Sequence, residues 1–219
     1  WKHGSVCEDY SQIEIPVYAI GGWADAYSNP VARLLKNIKT PIRALVGPWG
    51  HQYMHQVVPG PKAGFMDLAM RWWDHWLKET ETGIMNEPKY RAWVQDSVKP
   101  SSCFEERLGY WAGEETWPST NTINETMYFR DRSLLPEGGG NSIRIVNSPQ
   151  TVGRCTPFFG NMGAGDPQDP LDQRLDDSMS VCFDSSPLDK EFSILGAPAV
   201  TLEIESDKPS AFICVRLNE

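Results

Sequence analysis

The chain has few cysteines, and no two of them are close in sequence. The five lie at positions 7, 103, 155, 182 and 214 without a Cys-x-x-Cys pair, which excludes a zinc knuckle or a thioredoxin-like redox motif. An odd number of widely spaced cysteines is more typical of thiols in a reducing compartment than of a disulfide framework, so we expect a cytoplasmic protein.

The sequence also has no basic cluster and no long apolar run. With 20 Lys and Arg against 29 Asp and Glu, its formal charge is -9, and such a chain offers no surface for following nucleic-acid phosphates. A membrane-spanning helix needs about 20 consecutive apolar residues, and no run approaches that length. We therefore expect no nucleic-acid partner and no membrane insertion.

Residues 15–51 have the pattern of a strand–helix–strand unit. Residues 16–20 and 42–46 are short continuous apolar runs, which are typical of strands covered on both faces. Between them, Asn29-Pro30 predicts the start of a helix, with Asn29 as its cap. Such a unit is a parallel pair with a right-handed crossover, and ligands of parallel sheets gather at the carboxyl ends of the strands.

An acid and an imidazole follow these two strands. Asp25 lies in the turn after the first strand and His51 in the turn after the second, so we predict that they lie within one hydrogen bond, or one bridging water, of each other. The order Asp then His is typical of the end of a Ser-His-Asp triad. The simpler alternative is that Asp25 only caps the helix near Asn29. Trp23 and Trp49 are interpreted as packing residues that hold the two turns together.

The nucleophile of such a triad is missing from the sequence. It should lie upstream on a G-x-S-x-G elbow. No serine has that pattern, and Ser5 lacks the second glycine and a preceding strand. The chain begins at Trp1 and ends within a predicted strand. We therefore expect a fragment that is inactive and poorly stable on its own.

The clearest helix covers residues 64–78. Its apolar residues recur at helical spacing and predict a wide buried face made of Phe65, Leu68, Ala69, Trp72, Trp73, Trp76 and Leu77. His75 should be exposed, and Arg71 and Asp74 should form a solvated pair. His51 and His55 form an H-x-x-x-H pair without a third ligand, so we predict no metal site and no cofactor.

After Pro88 the helical periodicity gives way to short apolar runs separated by turn clusters. The predicted strands are 90–95, 126–129, 143–146, 179–183, 199–204 and 211–217. Many short strands without intervening helices predict a jelly-roll β-sandwich. The predicted fold class is therefore α/β plus all-β. The C-terminal part of an α/β-hydrolase domain occupies residues 1–87, and an incomplete jelly roll occupies residues 88–219.

The motifs around the acid and the imidazole resemble signatures of a known family. Gly21-Gly22-Trp23-Ala24-Asp25 and Gly47-Pro48-Trp49-Gly50-His51 are similar to the GGW-x-D and GPW-x-H signatures of the CocE/NonD hydrolases, which include cocaine esterase and X-Pro dipeptidyl-peptidase. Three further similar motifs follow in family order, namely Pro59-Gly60-Pro61, Arg71–Lys78 and Leu195-Gly196-Ala197-Pro198. The resemblance therefore covers nearly the whole chain.

The resemblance implies a serine hydrolase of esters or amides. By motif position, Asp25 would be the triad acid, His51 the triad base, and Tyr27 would line the acyl pocket. The substrate would be a small ester or amide, or a peptide, and an N-terminal hydrolase portion would supply the serine. The resemblance leaves open an X-Pro dipeptidyl-peptidase on one side and an esterase or acylase on the other.

The alternative class is a non-catalytic β-sandwich that binds a carbohydrate or a partner domain. Exposed aromatic side chains on a concave sheet face would support it. The candidates in this sequence are Tyr110, Trp111 and Trp117.

Overall fold

Two sheets, three α-helices and three short 3-10 helices make up the regular structure of the described residues. The structure, a computed structural model, describes residues 4–138, 143–155 and 169–219. The elements are β1 (Val17–Gly22), α1 (Ser28–Asn37), β2 (Ile42–Gly47), α2 (Phe65–Lys78), β3 (Tyr90–Gln95), β4 (Gly109–Glu114), β5 (Tyr128–Arg130), β6 (Ser133–Leu135) and α3 (Arg174–Asp177). Within these ranges no helix combines the length and apolarity that crossing a bilayer requires.

The main sheet has four strands in the order β1-β2-β3-β4. β1 and β2 are parallel and pair from Val17 opposite Ile42 to Gly22 opposite Gly47. β3 continues the sheet parallel to β2, and β4 is antiparallel to β3. This sheet runs across residue 87, and the division of the chain into domains at that residue stays a prediction. β5 and β6 form a separate antiparallel hairpin.

The two long helices cover opposite faces of the main sheet. Val31 and Leu35 of α1 pack in one cluster with Ala44 of β2, whereas Leu45 packs with α2 in a second cluster. Successive side chains of a strand point to opposite faces, so α1 and α2 lie on different sides. The predicted strand–helix–strand unit is confirmed.

The start of α1 differs from the prediction. The helix begins at Ser28 with Tyr27 as its N-cap residue and no side-chain cap bond, so the assignment of Asn29 as the cap is wrong. The reason lies one turn earlier, because the backbone N–H of Ser28 already donates to the carbonyl of Asp25 at 3.2 Å. The chain is therefore turning before it reaches Asn29.

α2 is confirmed, but its buried face is narrower than predicted. Leu68 and Trp72 are buried, whereas Trp73 and Leu77 are exposed. At 3.6 residues per turn, Leu77 lies about 140° around the helix from Trp72. Only the arc centred on Leu68 and Trp72 reaches the sheet, so the prediction that Trp73 and Leu77 belong to the core is wrong.

The polar residues of α2 also have partners that the sequence did not indicate. Arg71 pairs with Glu87 at 2.6 Å, and Asp74 pairs with Lys78 one turn later at 2.6 Å. The predicted Arg71–Asp74 pair is therefore wrong, because each residue has a better-placed ion of opposite charge. His75 is half-buried rather than exposed.

The second half of the chain contains fewer strands than predicted. Residues 90–95 form β3 as expected. Of the predicted strand 126–129, only residues 128 and 129 belong to β5. The segments 143–146, 179–183, 199–204 and 211–217 form no strand. These segments have no neighbouring strand to complete their backbone hydrogen bonds. In three of them apolar side chains face solvent, as with Ile143 at 89% and Phe212 at 98% exposure, whereas residues 179–183 are partly buried and Phe183 packs against Phe129. The described residues therefore contain no closed β-sandwich.

Candidate active site

The turns that follow β1 and β2 are joined by their backbones. The N–H of Trp23 donates to the carbonyl of Gly47 at 2.9 Å, and the N–H of Ala24 donates to the carbonyl of Trp49 at 3.0 Å. A β-carbon at position 22 would lie 2.0 Å from that Trp49 oxygen. Glycine at position 22 is therefore what allows the two turns to meet.

This junction places Asp25 beside His51. Asp25 Oδ2 lies 2.8 Å from His51 Nδ1, so the predicted contact between the two side chains is confirmed. The other carboxylate oxygen, Oδ1, accepts the backbone N–H of Tyr27 at 2.7 Å. Both oxygens of Asp25 are thus engaged, and the carboxylate has a fixed orientation toward the imidazole.

Asp25 and His51 differ in how far their side chains are exposed to solvent. The Asp25 side chain is 12% exposed and the His51 side chain is 47% exposed. An ionised carboxylate only accepts hydrogen bonds, so Nδ1 donates, and in the neutral ring Nε2 holds the lone pair. Within the described ranges no serine hydrogen-bonds to His51. The arrangement is that of an imidazole oriented by a carboxylate, with about half of the imidazole side chain open to solvent.

Tyr27 lies beside the Asp25–His51 pair. Its ring is 54% exposed and meets the imidazole of His51 at a centroid distance of 5.8 Å and an interplanar angle of 60°. It flanks the base without separating it from Asp25. The role of Tyr27 in an acyl pocket stays a prediction.

Trp23 and Trp49 hold the two turns in place through packing and hydrogen bonds, as the sequence predicts. Trp49 is 1% exposed, and its Nε1–H donates to the carbonyl of Pro61 at 2.7 Å. A β-carbon at position 47 would lie 2.2 Å from the Trp49 ring, so Gly47 makes room for the indole. The Nε1–H of Trp23 donates to the carbonyl of Trp93 on β3, also at 2.7 Å.

Sequence reasoning missed the part that β3 and β4 play around these turns. Trp93 and Trp111 are opposite partners on the two strands and their rings meet edge-on at 5.2 Å. The sequence indicates a strand at Tyr90–Gln95, but it carries no local signal of the sheet that this strand joins. Assigning those residues to a separate sandwich hid their position next to the first half of the chain.

The aromatic residues proposed for a binding face are only partly exposed, and some of them pack against other rings. Tyr110 and Trp111 are partly exposed, but Trp111 also packs against Trp49 at 6.1 Å. Trp117 packs edge-on against the buried Tyr90 at 4.9 Å, so its assignment as an exposed binding residue is wrong. Tyr90 and Trp117 instead form part of the packing beneath the sheet.

The H-x-x-x-H histidines have different neighbours. His51 contacts Asp25, whereas His55 stacks on Phe65 with centroids 6.1 Å apart. Among the residues that the structure describes, no group of three or more His, Cys, Asp or Glu could hold a metal ion.

A carboxylate paired with an imidazole at the carboxyl ends of adjacent parallel strands is an arrangement in which the carboxylate can orient the imidazole as a base. Residues 1–53 match the X-Pro dipeptidyl-peptidase (S15) family, and residues 82–219 match the X-Pro dipeptidyl-peptidase C-terminal non-catalytic domain. The family model of the X-Pro dipeptidyl-peptidase C-terminal non-catalytic domain covers more than half of the chain, so the chain belongs to that domain family. Together the two matches confirm the resemblance to the CocE/NonD group.

Relatives of known name are longer than this chain. Two proteins provisionally named serine esterases, from Mycobacterium bovis and Mycobacterium tuberculosis, are each 25% identical over 214 residues. The alignment covers 93% of this chain but 32% of each relative, so the chain spans about a third of their length. A CocE/NonD family hydrolase from Staphylococcus aureus is 15% identical with a TM-score of 0.44, over 59% of this chain and 22% of that one; we draw nothing from that likeness.

Proposed function

We propose that this chain carries the acid and the base of a serine hydrolase. Asp25 orients His51, and His51 takes the proton of a serine hydroxyl supplied by polypeptide outside this chain. The 2.8 Å contact between Asp25 and His51 is the observation that carries the proposal. Both residues fall within the segment that matches the peptidase family.

The geometry supports a defined sequence of proton transfers. Nε2 of His51 accepts the serine proton as the oxygen attacks the carbonyl carbon of an ester or amide, and a tetrahedral intermediate forms. The imidazolium then donates this proton to the leaving alcohol or amine. Asp25 stabilises the charged ring throughout, while its second oxygen stays bound to the N–H of Tyr27. Water then attacks the acyl carbon and gives its proton to Nε2 of His51, and the imidazolium returns this proton to the serine oxygen as the acid is released.

The finer architecture follows the same proposal. Residues 1–87 form the C-terminal part of an α/β-hydrolase domain, and residues 88–219 form a jelly roll whose strands pair only in a longer protein. In the proposed enzyme the exposed ring of Tyr27 borders the acyl pocket. The substrate is a small ester or amide, or a peptide with an X-Pro terminus. By itself this chain is inactive, since it lacks the nucleophile.

The test is labelling with a fluorophosphonate probe, which reacts with an activated serine. The full-length gene product, meaning this chain together with the coding sequence upstream of Trp1, is labelled in its wild-type form and as His51→Ala. His55→Ala is the matched control because His55 is exposed, four residues away and packed only against aromatic rings. We expect His51→Ala to abolish labelling and His55→Ala to preserve it. Equal labelling of both variants would contradict the assigned base.

A non-catalytic binding module is the second candidate. It is supported by the partly exposed Tyr110 and Trp111 and by the description of the family matched by residues 82–219 as non-catalytic. The sequence upstream of Trp1 separates the candidates. An open frame with a G-x-S-x-G elbow favours the hydrolase, whereas an unrelated domain favours the binding module.

A further inference from the structure

Four tryptophans connect the turn that holds Asp25 with the turn that holds His51. The Nε1–H of Trp23 donates to the carbonyl of Trp93 at 2.7 Å. The Trp93 ring meets Trp111 edge-on at 5.2 Å, and Trp111 lies 6.1 Å from Trp49. We call Trp23, Trp93, Trp111 and Trp49 the tryptophan chain. Its two ends lie two residues before Asp25 and two residues before His51.

The middle of the tryptophan chain belongs to the segment described as non-catalytic. Trp93 on β3 and Trp111 on β4 are register partners, and both lie within residues 82–219. The Nε1–H of Trp93 donates to the carbonyl of Arg107 at 3.1 Å, which anchors this ring to the connection between the strands. The two rings therefore sit on a rigid antiparallel pair.

The ends of the tryptophan chain adjoin the turns that place Asp25 and His51. Trp49 is fully buried and hydrogen-bonded to Pro61, and its carbonyl oxygen holds the turn of Asp25 through the N–H of Ala24. A void beside the Trp49 ring would let this turn move, because packed rings keep their place only while their neighbours fill the space. Movement of the Trp49 main chain shifts Asp25 and His51 relative to each other.

We infer that Trp93 and Trp111 are positioning residues for the Asp25–His51 pair, so that the segment described as non-catalytic sets the geometry of the catalytic base. The inference rests on the proposed function. Among the described residues no hydrogen bond or ring contact joins either indole to His51 or Asp25. The Trp111 ring meets Trp49, the Trp93 ring meets Trp111, and the main-chain carbonyl of Trp93 accepts the Nε1–H of Trp23. The effect falls on the orientation of the base rather than on the binding of substrate.

The experiment compares Trp111→Ala with Trp73→Ala in the full-length gene product. Trp73 is also a partly exposed tryptophan, but it lies on α2 away from the tryptophan chain. Since a misplacement of about 1 Å can cost about 100-fold in rate, we expect Trp111→Ala to lower kcat for p-nitrophenyl acetate by about that factor with little change in KM. Trp73→Ala should leave both constants unchanged, and Trp111→Phe should restore most of kcat because a ring again fills the space.

A spectroscopic readout makes the result independent of turnover. In protein labelled with 15N-histidine, the hydrogen-bonded Nδ1 proton of His51 gives a downfield resonance that disappears in Asp25→Ala. We expect this resonance to weaken in Trp111→Ala and to persist in Trp73→Ala. An unchanged resonance and an unchanged kcat in folded Trp111→Ala would overturn the inference.

A milder variant decides the matter if Trp111→Ala does not fold. Trp23→Phe keeps an aromatic ring but removes the hydrogen bond to the Trp93 carbonyl together with part of the indole's volume. We expect it to lower kcat and weaken the His51 resonance, and a wild-type result for both would overturn the inference. Failure of the proposed function itself looks different, because His51→Ala would then remain fully active whatever the tryptophan variants do to the resonance.

Discussion

The α-carbon of Gly22 lies so close to the main chain of Trp49 that a β-carbon there would fall 2.0 Å from the carbonyl oxygen and 2.6 Å from the carbonyl carbon. Both obstructing atoms belong to the backbone, which cannot rotate away as a flexible side chain would. The contact sits at the junction that brings Asp25 to His51. A glycine at position 22, the second residue of the GGW motif, is therefore required for the two turns to meet.

Gly22→Ala should separate the two turns and destabilise the protein. Overpacking of this kind costs roughly 1–3 kcal/mol of unfolding free energy, and we expect a loss in that range from denaturant unfolding. The control is Gly4→Ala, where an added β-carbon meets nothing within 4 Å. Equal unfolding midpoints for the two variants would show that the junction tolerates the extra atom.

Glu87 ties α2 to β3. Its Oε1 lies 2.6 Å from Arg71, and its Oε2 lies 3.1 Å from Arg91, the latter an ion pair without hydrogen-bond alignment. Glu87→Gln removes one charge from two partly exposed pairs, so we expect a loss of roughly 1–2 kcal/mol by chemical denaturation. Asp74→Asn, which breaks the exposed pair with Lys78, should cost less than about 0.5 kcal/mol. Similar losses for both would argue against a special role for Glu87.

Asp176 should make stability depend on acid pH. Burial acts to raise the pKa of this carboxyl, but the backbone N–H of Cys155 at 3.0 Å and the Arg216 guanidinium at 3.7 Å outweigh it and hold the pKa below its usual 3.8. A pKa lowered on folding contributes stability above the unfolded value, and this stability is lost as pH falls through the folded value. The loss should therefore begin below about pH 4.

The measurement is the unfolding free energy at neutral pH and at about pH 3. Asp176→Asn should be less stable than wild type at neutral pH and should lose less on acidification. The exposed Asp207, which pairs with the neighbouring Lys208, supplies the control Asp207→Asn. A wild-type acid dependence in Asp176→Asn would show that other carboxyls cause the effect.

Tyr27 should act on substrate binding rather than on proton transfer. Its ring flanks His51 at 5.8 Å, and its hydrogen bond to Asp25 comes from the backbone N–H rather than from the side chain. We expect Tyr27→Ala to raise KM in the full-length gene product while kcat stays within a few-fold of wild type, as happens when uniform binding is removed. A large fall in kcat at constant KM would instead place Tyr27 in the chemistry.

The sequence predicted the strand–helix–strand unit and the contact between Asp25 and His51 because local signals and topology agree there. The apolar runs of β1 and β2, with a helix between them, leave one arrangement for Asp25 and His51. The helical spacing of α2 was equally clear, but periodicity could not show how wide an arc the sheet would cover. Trp73 was misplaced for that reason.

The second half was harder to predict because its strands depend on distant partners. Residues 199–204 alternate as a strand should, yet no neighbour pairs with them in the described residues. The role of Trp111 was also hidden, since contact with Trp49 is a matter of sheet order and not of local sequence. Propensity identifies segments that could be strands, and tertiary pairing decides which become strands.

The most direct test of the account is a double-mutant cycle on Asp25 and His51 in the full-length gene product. Asp25→Asn alone should lower kcat by about 10⁴-fold because the imidazole loses its orienting acceptor, and His51→Ala alone by about 10⁶-fold. If the two residues act as one unit, the double variant will be no slower than His51→Ala. Losses that multiply, toward about 10¹⁰-fold, would show that the residues act independently and would contradict the account.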